Sequence, residues 1–121
     1  MYRISTKFHA VLDYLSGTLL LTAPWIMHFS ASSGATTVSV FSGVVILMMS
    51  MMTDYEGGLA LHIPMFMHLN IDVLLGIFLT LAPWLLGFKD EVYLPHLVIG
   101  LFSIFAGLFT VRDSLTERKN R

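Results

Sequence analysis

The chain has 121 residues, of which 55% are apolar and only 12% charged, with a formal net charge of -1 and a mean hydropathy of +0.75. Soluble domains carry about 25% charged residues, and a chain this small leaves about a third of its surface in water, so an ordinary soluble domain is excluded. The charge balance excludes a nucleic-acid binder that works through basic surface. The absence of cysteine excludes disulfides, thiolate metal sites and thiol redox chemistry. What remains is an integral membrane protein, one transmembrane domain over residues 1–121.

The first apolar segment, at about residues 5–27, follows Arg3, contains Lys7, His9 and Asp13, and closes on Ala23-Pro24-Trp25. Its length suits a membrane-crossing helix of about 20 residues. Small residues at 30–35 resemble a cleavage site, but Asp13 interrupts the apolar run, so the segment reads as a retained helix. The second segment, at about 37–53, carries the methionines Met48, Met49, Met51 and Met52, which read as lipid-facing or packing filler rather than copper ligands. A turn with two acids and a glycine pair (54–58) leads to the third segment, at about 64–86, opened by Pro64. After a second charged turn (87–91) the fourth segment runs from about 92 to 111. Arg112, Arg118, Lys119 and Arg121 follow it, while Lys89 is the sole basic residue in the loops assigned outside. That bias places both termini on the cytoplasmic side of the cell inner membrane. Short connections make consecutive helices antiparallel neighbours. The expected fold is all-α, a four-helix transmembrane bundle.

The bundle is built twice. His9, Asp13, Leu15, Gly17, Leu20, Ala23, Pro24 and Trp25 recur 59 residues later as His68, Asp72, Leu74, Gly76, Leu79, Ala82, Pro83 and Trp84. Eight identities in 22 positions exceed the roughly two that an apolar background supplies. Asp54 and Asp113 are also 59 apart. The unit is therefore a helical hairpin, with tandem copies at 1–59 and 60–121. Two helices per unit make the copies parallel, related by a pseudo-two-fold axis along the membrane normal, unlike inverted-repeat transporters.

The pattern H-x3-D-x3-G-x5-A-P-W in paired hairpins resembles the SPW-repeat family of small bacterial membrane proteins. The resemblance implies two-helix units with a Pro-Trp motif in the first helix of each, and supplies topology rather than chemistry. Both copies here read Ala-Pro-Trp, so no serine hydroxyl is available at the motif.

At 100° per residue, His9, Asp13, Gly17, Leu20 and Pro24 share one face of the first helix, and their recurrences share one face of the third. Membrane charges turn inward, and glycine on the same stripe lets a neighbouring helix approach. Trp25 and Trp84 read as interfacial anchors, with Pro24 and Pro83 bending or ending their helices nearby. Three readings of the polar stripe stay open. Each His-x3-Asp pair can neutralise itself within one helix and serve packing, as in a structural or accessory membrane subunit. The four groups can instead form one site for a divalent metal or a proton, joined weakly by Asp54 and Asp113. Or His9 and His68 can be axial ligands of a haem in an electron-transfer protein. No nucleophile stands beside a base and no phosphate loop is present, which leans against an enzyme. The partner expected from composition is the lipid bilayer, with a second copy or another membrane protein as a further partner. His96 reads as an interfacial histidine near the outer end of the fourth helix, and His28 and His62 as residues of helix boundaries.

Overall fold

A computed structural model describes residues 3–120; Arg121, counted in the orientation argument, lies outside them. Among the described residues the chain is all-helical, with four main helices and a short fifth: α1 (Thr6–Ile26), α2 (Ser33–Met52), α3 (Met65–Leu85), α4 (Leu94–Phe109) and α5 (Leu115–Lys119). The two helices α2 and α3 are long and apolar enough to cross a membrane. α2 begins four residues earlier than its apolar segment, because Ser33 to Thr36 are small enough to enter a helix. α4 is shorter than its segment, and α5 was not expected.

Local signals account for the boundaries. Ser5 caps α1, its side chain accepting the Phe8 N–H at 3.1 Å. Pro24 and Pro83 each stand two residues before the end of their helix. Their carbonyls, which proline keeps, accept the N–H of Phe29 (2.8 Å) and Phe88 (2.9 Å), the closing bond of a Schellman cap. That cap needs a left-handed residue: Gly87 supplies it at φ 77°, and His28 adopts it at φ 61°.

α1 packs antiparallel on α2 and α3 on α4, with much smaller contacts between the hairpins. Both crossings are made by glycine. A Cβ on Gly43 would lie 2.7 Å from the Gly17 carbonyl oxygen, and one on Gly76 would lie 2.6 Å from that of Gly100. Gly17 and Gly76 thus face neighbouring helices, and their partners Gly43 and Gly100 are 57 residues apart. The sequence pattern misses this second spacing. It arises because the second hairpin is two residues shorter between its first helix and its glycine crossing. Short extended segments repeat the relationship: Ile4 bridges to Thr110 and Ile63 to Thr53, joining positions 59 apart to positions 57 apart.

The core between the hairpins is apolar at one end and polar at the other. Leu20, Leu79, Ala23, Ala82, Phe29 and Phe88 fill the end near the Pro-Trp motifs. The outer surface is apolar as well: Leu15, Trp25, Leu85, Leu101 and Phe105 are among many large exposed side chains. Such continuous exposure fits lipid rather than water.

Candidate functional site

His9 is the fourth residue of α1 and His68 the fourth of α3, so each aspartate follows one turn later on the same face. The structure brings all four residues into one buried ring. His9 Nε2 lies 3.1 Å from Asp13 Oδ1 on its own helix and 2.9 Å from Asp72 Oδ2 on the other. His68 Nε2 lies 3.3 Å from Asp72 Oδ2 and 2.9 Å from Asp13 Oδ2. The imidazole rings meet edge-on, with centroids 5.3 Å apart. His9, His68, Asp13 and Asp72 are all at most 6% exposed. The within-helix pair and the shared cluster are therefore both present, and the contacts across the axis are the shorter ones.

Two threonines set the histidine tautomers. Thr110 Oγ1 lies 2.6 Å from the Ala106 carbonyl and 2.8 Å from His9 Nδ1. Thr53 Oγ1 lies 2.6 Å from the Met49 carbonyl and 2.7 Å from His68 Nδ1. A carbonyl only accepts, so each hydroxyl donates its single proton there and accepts from the imidazole Nδ1–H. Each Nε2 is then left facing carboxylate oxygens. A neutral imidazole would present a lone pair to them, an arrangement of acceptors only. His68 Nε2 is buried without a well-directed hydrogen bond. Protons shared among these groups, or a cation between them, would relieve the conflict, since two unpaired buried carboxylates are costly.

Tyr55, in the turn after α2, is the residue that sequence reasoning missed. It is 1% exposed and donates its hydroxyl to Asp13 Oδ2 at 2.8 Å. Burial first, and the Asp13 charge second, push the phenol well above the ordinary tyrosine range, so it stays a donor. The position 57 residues later is Arg112, whose guanidinium instead reaches Asn70 Oδ1 at 3.3 Å and the Gly107 carbonyl at 3.2 Å. The ring is thus symmetric in its histidines and asymmetric in its supports.

Asp54 and Asp113 are placed differently from the ring. Asp54 carboxylate accepts the Thr116 N–H at 3.2 Å, and its carbonyl accepts that of Leu115 at 3.0 Å. It anchors α5 across the turn between α2 and α3. Its N–H donates to Ile63 as that of Val111 donates to Ile4, so the structural counterpart of Asp54 is Val111, and Asp113 is half-buried two residues further on. Beside this anchor, Arg118 contacts Glu56 at 3.2 Å and Thr6 at 2.8 Å. Burial works to raise the Glu56 carboxyl, but the Thr6 hydrogen bond and the Arg118 charge outweigh it and hold it below its ordinary range.

His96, read from sequence as an interfacial histidine, is fully buried instead. Its Nε2 donates to the Ala35 carbonyl at 3.0 Å and its ring lies against Phe88 and Phe29, at centroid distances of 4.9 and 5.6 Å. The sequence reading failed because a helix end next to a loop is covered here by both capping phenylalanines.

Among the described residues, His9, Asp13, His68 and Asp72 form a group able to hold a metal ion, their ligand atoms within 4.8 Å of one another. Tetrahedral ligands at 2.0–2.1 Å stand about 3.3 Å apart, near the 2.9–3.3 Å contacts of the ring. A histidine that ligates a metal characteristically donates its other nitrogen to a fixed acceptor, and Thr53 and Thr110 are such acceptors. The residues therefore fit a divalent ion. The void beside the ring is about 10 Å³, far less than a haem plate occupies.

The SPW repeat domain matches residues 7–110, which spans the ring, both Pro-Trp motifs and, but for Thr6, all four main helices. The chain belongs to the SPW repeat family. No curated protein and no solved structure matches it. Two helices of this SPW repeat protein are long and apolar enough to cross a membrane, which together with the family marks it as membrane-associated. Its motif tryptophans are exposed, Trp25 at 60% and Trp84 at 48%, while the prolines beside them are buried. The motif thus presents an indole outward at the end of the bundle opposite the ring.

Proposed function

We propose that this SPW repeat protein binds one divalent transition-metal ion, exchangeable for two protons, at His9, Asp13, His68 and Asp72. Four helices cross the inner membrane, the tandem hairpins are parallel repeats, and the ring lies toward the cytoplasmic side with both termini. The observation that carries the reading is the pair of Nδ1–threonine contacts. They leave both Nε2 atoms facing two carboxylates.

Charge then defines the chemistry. Two neutral imidazoles and two carboxylates sum to -2, which two protons or one divalent ion neutralise. Either loaded state keeps the low-dielectric interior free of net charge. Two imidazole nitrogens with two carboxylate oxygens suit zinc and its first-row neighbours better than calcium or magnesium. Exchange of metal for protons serves transport or sensing.

A second reading rests on the contacts across the axis. The hairpins touch each other sparingly, and His9–Asp72 and His68–Asp13 join them. In this reading the ring stays proton-loaded and pins the two hairpins, as in a structural subunit. Zinc titration of the purified protein in detergent separates the two. Saturable binding lost in Asp13→Asn supports the metal site; absence of binding with intact stability leaves the pin.

A further inference from the structure

The two flanks of the ring differ. Relating α1 to α3 by 59 residues and α2 to α4 by 57 pairs Ser16 with Leu75 and Ala106 with Met49. Leu75, on α3, and Met49, on α2, are both buried. At the equivalent positions on α1 and α4 stand the smaller Ser16 and Ala106. There a void of about 10 Å³ opens against Asp13 and Asp72, with Ser103 on its wall. Such a volume admits one water molecule, provided polar partners surround it.

They do. Ser16 donates to the Asp13 carbonyl at 3.3 Å and Ser103 to the Asp72 carbonyl at 2.8 Å. Each hydroxyl oxygen and each carboxylate is left able to accept. A water in the void has acceptors for both of its protons, and its oxygen lone pairs remain for an ion at the ring. The void also continues. Leu12, Ser16, Ile99 and Phe102 belong both to its wall and to a furrow of about 220 Å³ between α1 and α4. A further hollow of about 310 Å³ extends that furrow past Leu19 and Val98 to Met27 and Leu94, at the loop end of the bundle.

We propose that a water held between Asp13, Asp72, Ser16 and Ser103 is the exchangeable ligand of the ring, and that exchange at the ring passes through this void on its α1/α4 side. The α2/α3 side, with the larger Leu75 and Met49, is not a route. This inference rests on the cation-binding reading above.

The test measures zinc exchange kinetics and zinc affinity separately on the full chain in detergent. Ser16→Leu and Ala106→Met install what the other side carries at the equivalent positions and fill the void. In void-filled variants that still bind zinc, the expected result is zinc dissociation about tenfold slower, a change of about 1.4 kcal/mol in barrier. Ser103→Ile, the residue that Ile46 supplies in the other half, fills the same void by a third route if either variant fails to fold. Leu75→Ala with Met49→Ala opens the α2/α3 side and is expected to speed exchange. Void-filled variants that fold, bind zinc and exchange it at the wild-type rate overturn the proposal while leaving the metal site standing. A wild-type chain that takes up no zinc overturns both.

Discussion

His9 stands closer to the aspartate of the other repeat than to its own: 2.9 Å to Asp72 against 3.1 Å to Asp13. The same preference holds for His68, at 2.9 Å to Asp13 against 3.3 Å to Asp72. Neither repeat is complete without the other. The ring should therefore behave as a unit. Asp13→Asn and Asp72→Asn are each expected to abolish tight zinc binding, with the double variant little worse than either single. Independent helix pins would instead give stability losses that sum. A double-mutant cycle on both affinity and thermal stability decides between them.

The threonines act through the histidines. Thr53→Val and Thr110→Val keep size and remove the acceptor for Nδ1–H. Zinc affinity is expected to fall about 10–100-fold in each, the usual effect of losing such a supporting contact. Competition against a chelator dye measures it. Unchanged affinity in both variants would mean that the hydroxyls do not set the tautomers.

Tyr55→Phe removes one hydrogen bond that favours the charged form of Asp13. Protons then compete better with the metal. The pH midpoint of zinc binding is expected to move upward by about one unit, since hydrogen bonds to charged groups are worth about 1.5–3 kcal/mol. A midpoint that stays put or moves downward contradicts this role.

The four ring residues were legible in the sequence because an apolar background makes repeated His and Asp conspicuous. Their common face followed from helical geometry. Their partners were not legible. Thr53 and Thr110 are 57 apart rather than 59, so they escape the spacing that finds the ring. Tyr55 lies in a charged turn whose composition signals a loop and nothing else. The recurrence of Asp54 at Asp113 drew attention to the wrong pairing for the same reason: two residues are missing from the second hairpin between Phe88 and Gly100.

Close backbone approach sets a further expectation. Gly43→Ala places a Cβ 2.7 Å from the Gly17 carbonyl oxygen, and Gly100→Ala places one 2.7 Å from the Thr80 nitrogen. Backbone atoms cannot give way as side chains do, so each variant is expected to destabilise by about 1–3 kcal/mol. Gly34→Ala, whose nearest neighbour is the Phe88 ring at 3.3 Å, should cost less. Thermal unfolding in detergent ranks the three.

Glu56 ties the α2–α3 turn to Arg118 and Thr6. Its carboxyl is held below its ordinary range. The stability it contributes is therefore present above the ordinary glutamate value and is lost as the pH falls through the lowered one. Wild type and Glu56→Gln should differ at neutral pH and converge on acidification. The difference is small, because half-exposed pairs are worth about 0–1 kcal/mol. Curves that diverge on acidification contradict the sign.

The metal-for-proton exchange is tested most directly by titrating zinc into metal-free, detergent-solubilised protein while recording proton release. The expected result is one zinc per chain with about two protons released per ion, both signals lost in Asp13→Asn and in Asp72→Asn. Absence of saturable binding, or binding and proton release that survive both substitutions in folded protein, would contradict it.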